Sequence, residues 1–348
     1  MNETLISFTS GTFLEVMLFA VFGFAAAMLL TPLYTTLAYK YEWWKTARTK
    51  AVTGETASVY QKLHGAKHKR NIPTMAGVIF ILATTLVTLA GNLDRSQTWL
   101  PLAAMLGAGA VGLVDDIFNI RSFGGGIAGL QAKSKSMMIF VVSLVGGWWF
   151  FAKLGVTEIT VPFVGIVELG WLIVPLFVLV VISTANAVNI SDGLDGLAGG
   201  LAAIAFATYA FIALMEGEAG VAAFCTTMVG ALLSYTWFNI YPARFFMGDS
   251  GSFALGTALG VVAMLTDTVL LLPIIGAVFV VEAGSSMIQI GSKKLRGGKK
   301  IFKIAPIHHH FEASGWPETK VTMRFWLLAT IASSLGVILY LMEFVGAS

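Results

Sequence analysis

The chain has 348 residues, 57% hydrophobic and 12% charged, with a formal net charge of +3. Soluble domains carry about 25% charged residues, so an ordinary water-borne domain is excluded, and a mean hydropathy of +0.81 points to one bundle in a membrane. The single cysteine, Cys225, excludes an intrachain disulfide and a cysteine-rich metal site.

A transmembrane helix needs about 20 apolar residues. The first apolar run, 13–39, has an acidic lead (Glu3, Glu15) and no small-residue cleavage site, so a retained span rather than a signal peptide is expected. Spans follow at 72–90, 99–118 and 136–152. Segment 153–169 alternates apolar and polar residues around Pro162 and Gly165, the pattern of a short external β-hairpin. Further spans are expected at 170–188, 197–214, 220–240, 251–266, 268–291 and 323–345, with only Thr266-Asp267-Thr268 dividing the eighth from the ninth. Pro32 and Pro175 fall inside spans, where proline kinks a helix without forbidding it. The expectation is an all-α polytopic membrane protein of about ten transmembrane helices, forming a single integral domain over 1–348.

Lys and Arg near span ends orient such a chain. Twenty of the 22 lie in the odd-numbered connections and the feet of their spans, with only Arg95 and Lys153 opposite. The odd connections are therefore expected in the cytoplasm and both termini outside.

The polar residues collect on that same face. Asp115 and Asp116 end the third span, Asn189, Asp192 and Asp195 occupy the fifth-to-sixth connection, Asp249 opens the eighth span, and His308, His309 and His310 lie in the last connection. Ionisable groups near membrane depth are costly and mark function. Each motif also has a plainer reading. The Asp pair is either a metal and substrate site or two solvated acids at a helix end. Asp192 and Asp195 with Gly193 and Gly196 form either a ligand loop or a capped turn. Asp249 is an N-cap or a Mg²⁺ ligand. Phe246, like Phe245, stacks on a base or anchors at the interface. The three histidines bind phosphate oxygens or move protons, or are surface accidents, and adjacent histidines suit zinc poorly. Lys69 with Arg70 and Pro-Thr (Thr74) holds a diphosphate or simply anchors the span. Together the acids, cations and histidines suggest phosphoryl transfer between a soluble and a membrane-bound substrate. An ion-coupled transporter is the rival, but transporters keep their charges near the bilayer midplane and often show internal repeats, whereas here the acids sit at span ends and no repeat is visible.

NAVNISDGLDGLAGG, FFMGDSGSFALG and above all KLRGGKKIFKIAPIHHHFEASGWPETKVTMRFW closely resemble the phospho-N-acetylmuramoyl-pentapeptide-transferases. These belong to the polyprenyl-phosphate N-acetylhexosamine-1-phosphate transferase superfamily. PIHHHFE is the branch-specific stretch. The resemblance covers essentially the whole chain. It implies a bacterial plasma-membrane enzyme that joins UDP-MurNAc-pentapeptide to undecaprenyl phosphate with Mg²⁺, giving lipid I and UMP at the cytoplasmic face. A homodimer is what the family suggests, and no nucleic-acid partner is expected. By motif position, Asp249 is the implied Mg²⁺ ligand, and Asp115 and Asp116 orient or deprotonate the lipid phosphate. Asn189, Asp192 and Asp195 line the nucleotide pocket with Phe246 against uracil. Lys69, Thr74 and His308 to His310 meet phosphates and sugar, and Lys133 matches a family lysine. KRNIPTMAG departs from the family's KxGTPTMGG at Asn71, Ile72 and Ala76, and Asn119 stands where a lysine is frequent.

Overall fold

The computed structural model describes residues 10–44, 71–121 and 130–346. Twelve α-helices and one two-stranded hairpin account for most of them. In chain order these are α1 Ser10–Lys40, α2 Gly77–Gly91, α3 Trp99–Arg121, α4 Ala132–Ala152, β1 Glu158–Val161, β2 Gly165–Glu168, α5 Ile173–Ser191, α6 Leu197–Met215, α7 Ala219–Asn239, α8 Gly248–Leu265, α9 Leu272–Ile275, α10 Ala277–Leu295, α11 Ile307–Glu312 and α12 Glu318–Gly346.

Eight helices among the described residues are long and apolar enough to cross a membrane: α1, α3 to α8 and α12. All ten expected spans are present as helical segments, and the other two differ for physical reasons. Helix α2 has 15 residues, about 22 Å at 1.5 Å per residue, short of a hydrocarbon core about 30 Å thick. The segment 268–291 breaks at Gly276 into α9 and α10. Helix α10 is two-faced: Glu282, Ser285, Gln289 and Ser292 are buried while Val281, Met287, Ile288 and Ile290 are exposed.

The middle of the bundle is α6, α7 and α8, whose sides are almost wholly covered, whereas α1, α4 and α12 keep most of their surface outward. Outward leucines, valines and phenylalanines such as Leu29, Val145 and Leu327 would be an aggregation hazard in water and are the ordinary surface in lipid. The hairpin falls where expected, with Glu158 opposite Glu168 and Val161 opposite Gly165. Asp267, between α8 and α9, pins it by accepting the Thr160 N–H at 3.0 Å.

Helices α3 and α8 cross with backbones in contact. A methyl group at Gly112 would overlap the Asp249 carbonyl, so glycine there is a condition of the crossing. This crossing sets the geometry of the acid-rich end.

Candidate active site

Asp115 and Asp116 are fully buried near the end of α3. Successive helical residues point about 100° apart, so the two carboxylates diverge to different partners. Asp116 reaches the first turn of α8, where it accepts the N–H groups of Asp249 (3.1 Å) and Ser250 (3.0 Å). An acid from one helix thus caps another, satisfying two of the amides that a helix start leaves unpaired. Asp115 faces the other way. It accepts the Leu130 N–H at 2.6 Å, the Asn119 side-chain amide at 2.9 Å and the Lys135 ammonium at 3.2 Å.

Lys135 is the cation that draws the site together. Its Nζ lies 2.9 Å from Asp249 Oδ2 and 3.2 Å from Asp115 Oδ2, with both side chains from α4 and α8 less than a fifth exposed. Sequence reasoning missed it, because a lysine at the basic end of a span is ordinary. Lys133 is exposed, and two helical residues put it about 200° from Lys135. Asn119, where the family favours a lysine, still serves Asp115 as an amide donor.

Asn189 donates to Ser252 Oγ at 2.8 Å and so joins α5 to α8. Asp192 ends α5 half-buried. Asp195 is turned inward, 3% exposed, where its carboxylate accepts the Ala243 N–H and its own N–H donates to Glu318. Its bonds hold the α5–α6 loop to the α7–α8 loop and to α12.

Residues 73–77 run beside 246–247. The Phe246 N–H donates to Pro73, and the N–H groups of Ala76 and Gly77 donate to Phe246 and Met247. That pairing brings the Thr74 segment to the half-buried Phe246. Thr74 itself is buried, its carbonyl accepting the Tyr34 hydroxyl at 2.6 Å. Phe245 is core, packed on Tyr34, Tyr235 and Phe238. Lys69 lies outside the described residues.

The three histidines are not equivalent. His308 Nδ1 is 2.8 Å from Glu282 on α10, and His309 Nδ1 is 2.7 Å from Glu312. His310 is half-buried and accepts the Lys303 N–H through Nδ1. The long basic loop before them is tied down by Gln289, which bonds the backbone of Ile301 and Phe302. Glu282 was also missed, although an acid inside an apolar run was a signal open to reading.

A family model described as glycosyl transferase family 4 matches residues 98–267, the stretch that holds the Asp pair, Lys135 and Asp249. Fold and match together define the class: a multi-pass membrane glycosyl transferase. A phospho-N-acetylmuramoyl-pentapeptide-transferase from Caldanaerobacter subterraneus subsp. tengcongensis is 41% identical over 268 residues, 76% of this chain and 83% of the relative. One from Desulfotalea psychrophila is 40% identical over 282 residues, 76% of this chain and 78% of the relative. The chain belongs to the phospho-N-acetylmuramoyl-pentapeptide-transferase family.

Proposed function

We propose that the chain transfers phospho-MurNAc-pentapeptide from UDP-MurNAc-pentapeptide to undecaprenyl phosphate, giving lipid I and UMP. The site would face the cytoplasm of a bacterial plasma membrane, with both termini outside. The observation that carries the reading is the convergence of Asp115 and Asp249 on one cation, Lys135, in a member of this family.

That donor set fits Mg²⁺. Two hard carboxylate oxygens already meet one cation, and Mg²⁺ takes one or two carboxylates plus substrate phosphates. Among the described residues no three His, Cys, Asp or Glu side chains gather as a metal site by themselves, so phosphate oxygens would complete the set. Asp249, with Asp115 beside it, would hold the ion. When bound, it would offset charge on the diphosphate and on departing UMP.

The chain's own residues position the reactants. An oxygen of the lipid phosphate attacks the donor's β-phosphorus. The bond from that phosphorus to the bridging oxygen breaks, and UMP leaves with that oxygen. A lipid phosphate is already ionised at neutral pH, so the step needs no general base. Asp116, whose oxygens accept two backbone amides, then serves to hold Asp249 in place. Lys135 screens the two acids and an incoming phosphate. Asn189 and Asp192 meet the nucleotide, with Phe246 against uracil, and Asp195 keeps their loop in position. Lys69, Thr74, His309 and His310 are assigned to phosphates and sugar, whereas Lys133, exposed and turned about 200° from Lys135 on α4, is not.

UMP release by detergent-purified protein tests this, with polyprenyl phosphate, either UDP-MurNAc-pentapeptide or UDP-GlcNAc, and Mg²⁺ or EDTA. Mg²⁺-dependent release with the muramoyl donor alone is expected. Release only with UDP-GlcNAc would overturn the donor assignment, and none from folded protein would overturn the reaction. Asp249→Asn should lower turnover on the order of 10³-fold, the several kcal/mol that a Lewis-acid metal supplies, with its melting temperature kept. Near-normal turnover would remove Asp249 from the metal role.

A further inference from the structure

Glu282 is the one acid on the buried polar face of α10, and its side chain is 0% exposed. Burying a carboxylate is costly unless something nearby bonds it. What it meets comes from 26 residues further along: His308, also 0% exposed, with Nδ1 at 2.8 Å from Oε2. The backbone N–H groups of Ile307 and His308 face the same carboxylate. The ring is therefore held from one side at a defined nitrogen.

Its other nitrogen faces a different part of the molecule. A methyl group built on Gly193 would overlap His308 Nε2, so that nitrogen lies directly on the α5–α6 loop, beside Asp192. His309 packs edge-on to the His308 ring at 4.1 Å between centroids, and carries its own acid, Glu312, at 2.7 Å. Glu282, His308 and Gly193 form a continuous line from α10 to the loop that holds Asn189, Asp192 and Asp195.

We propose that Glu282 is a positioning residue: acting through His308, it sets the height and angle of the α5–α6 loop against which the nucleotide donor binds. The inference rests on the functional reading above, which assigns that loop to the nucleotide. A carboxylate that orients an imidazole through one nitrogen fixes what the other presents, and in metal sites such outer partners are worth about 10–100-fold in affinity or activity. The lipid phosphate is assigned to the Asp115 end and the nucleotide to this loop, so the effect should fall on the donor.

The test is a double-mutant cycle with steady-state UMP release, varying donor and lipid separately, plus melting temperatures of each variant in detergent. Glu282→Leu fills the volume without an acceptor. It should raise the donor KM about 10–100-fold while moving the lipid KM less than 3-fold, and the conservative Glu282→Gln should recover most of the loss. In a His308→Gln background, Glu282→Leu should add nothing further, because its effect passes through the ring. Additive losses, or equal rises in both KM values, would overturn the proposal and leave Glu282 a packing residue. So would unchanged donor KM in Glu282→Leu. If Glu282→Leu fails to melt cooperatively, the Glu282→Gln and His308→Gln arms carry the same comparison. The functional reading is judged separately, by whether wild-type protein releases UMP at all. Should it release none, ¹⁵N shifts of histidine-labelled protein still decide: the His308 signal, assigned by its loss in His308→Gln, must move in Glu282→Gln, and an unmoved signal overturns the pairing.

Discussion

Asp116 and Lys135 show two ways in which one residue can organise the acid end. Asp116 offers its carboxylate oxygens to the amides that open α8. Asp116→Ala should cost about 1–2 kcal/mol, as loss of a helix cap does, visible as a lower melting temperature alongside lost turnover. Lys135 bonds both Asp115 and Asp249, and without it the two acids are left beside each other with that cation gone. Lys135→Met should reduce UMP release on the order of 10²-fold, the scale of removing one preorganised charge partner. Lys133→Met, at an exposed position on the other side of α4, is expected to stay within about 3-fold. Activity falling equally in both would show that Lys135 is only part of a diffuse basic surface. At this scale the acids were legible because carboxylates at span ends are anomalies that need a reason. Lys135 was not, since choosing it over Lys133 depends on the rotation of α4, and rotation is set by packing that no spacing in the chain reveals.

Helices carry the second set of expectations. Because α3 and α8 touch at Gly112, Gly112→Ala should separate them. Overpacking of this kind costs about 1–3 kcal/mol, and here it also displaces Asp249, so melting temperature and turnover should fall together. At the opposite end of the bundle, Asp94 begins the turn that leads into α3 and accepts the N–H groups of Ser96 and Gln97. The Ser96 hydroxyl, then those backbone bonds, hold its carboxyl below the usual carboxylate range. A depressed folded-state pKa stabilises above the unfolded value, about 3.9, and the gain disappears as pH falls through the lower folded value. Wild type and Asp94→Ala should therefore differ in melting temperature at pH 7 and converge as pH falls from about 3.9 through the lower folded value. A difference that persists in acid would mean the aspartate acts through packing instead. The helices were mostly legible as apolar runs of sufficient length, and the hairpin by its alternation. The break at Gly276 was not, because 268–291 reads as one apolar run while its polar side, Glu282 to Ser292, makes sense only once the residues it bonds are in place.

Across the whole molecule, the distribution of charge matches the distribution of chemistry. Asp115, Lys135, Asp249 and the histidine stretch share the end where the cations concentrate. By the positive-inside rule that end is expected in the cytoplasm. Sealed vesicles test it: Cys225 is fully buried, so wild type should not react with an impermeant maleimide. Ser96→Cys and Ser314→Cys, both at exposed positions, should label from opposite sides. Labelling of both from one side would overturn the orientation.

The cap that Asp116 places on α8 bears on drug resistance. A compound gripping Asp249 would lean on a helix start that Asp116 caps and Gly112 admits, so an escaping cell would have to rebuild the fold as well as the contact. A compound leaning on Phe246 or Lys133 would meet side chains that the bundle does not need. Selections against two such inhibitors should return substitutions at Phe246 or Lys133 for the second, and for the first mainly changes in efflux or expression. Fit, fully active Asp116 variants arising under the first would show that the cap can be replaced from elsewhere in the bundle.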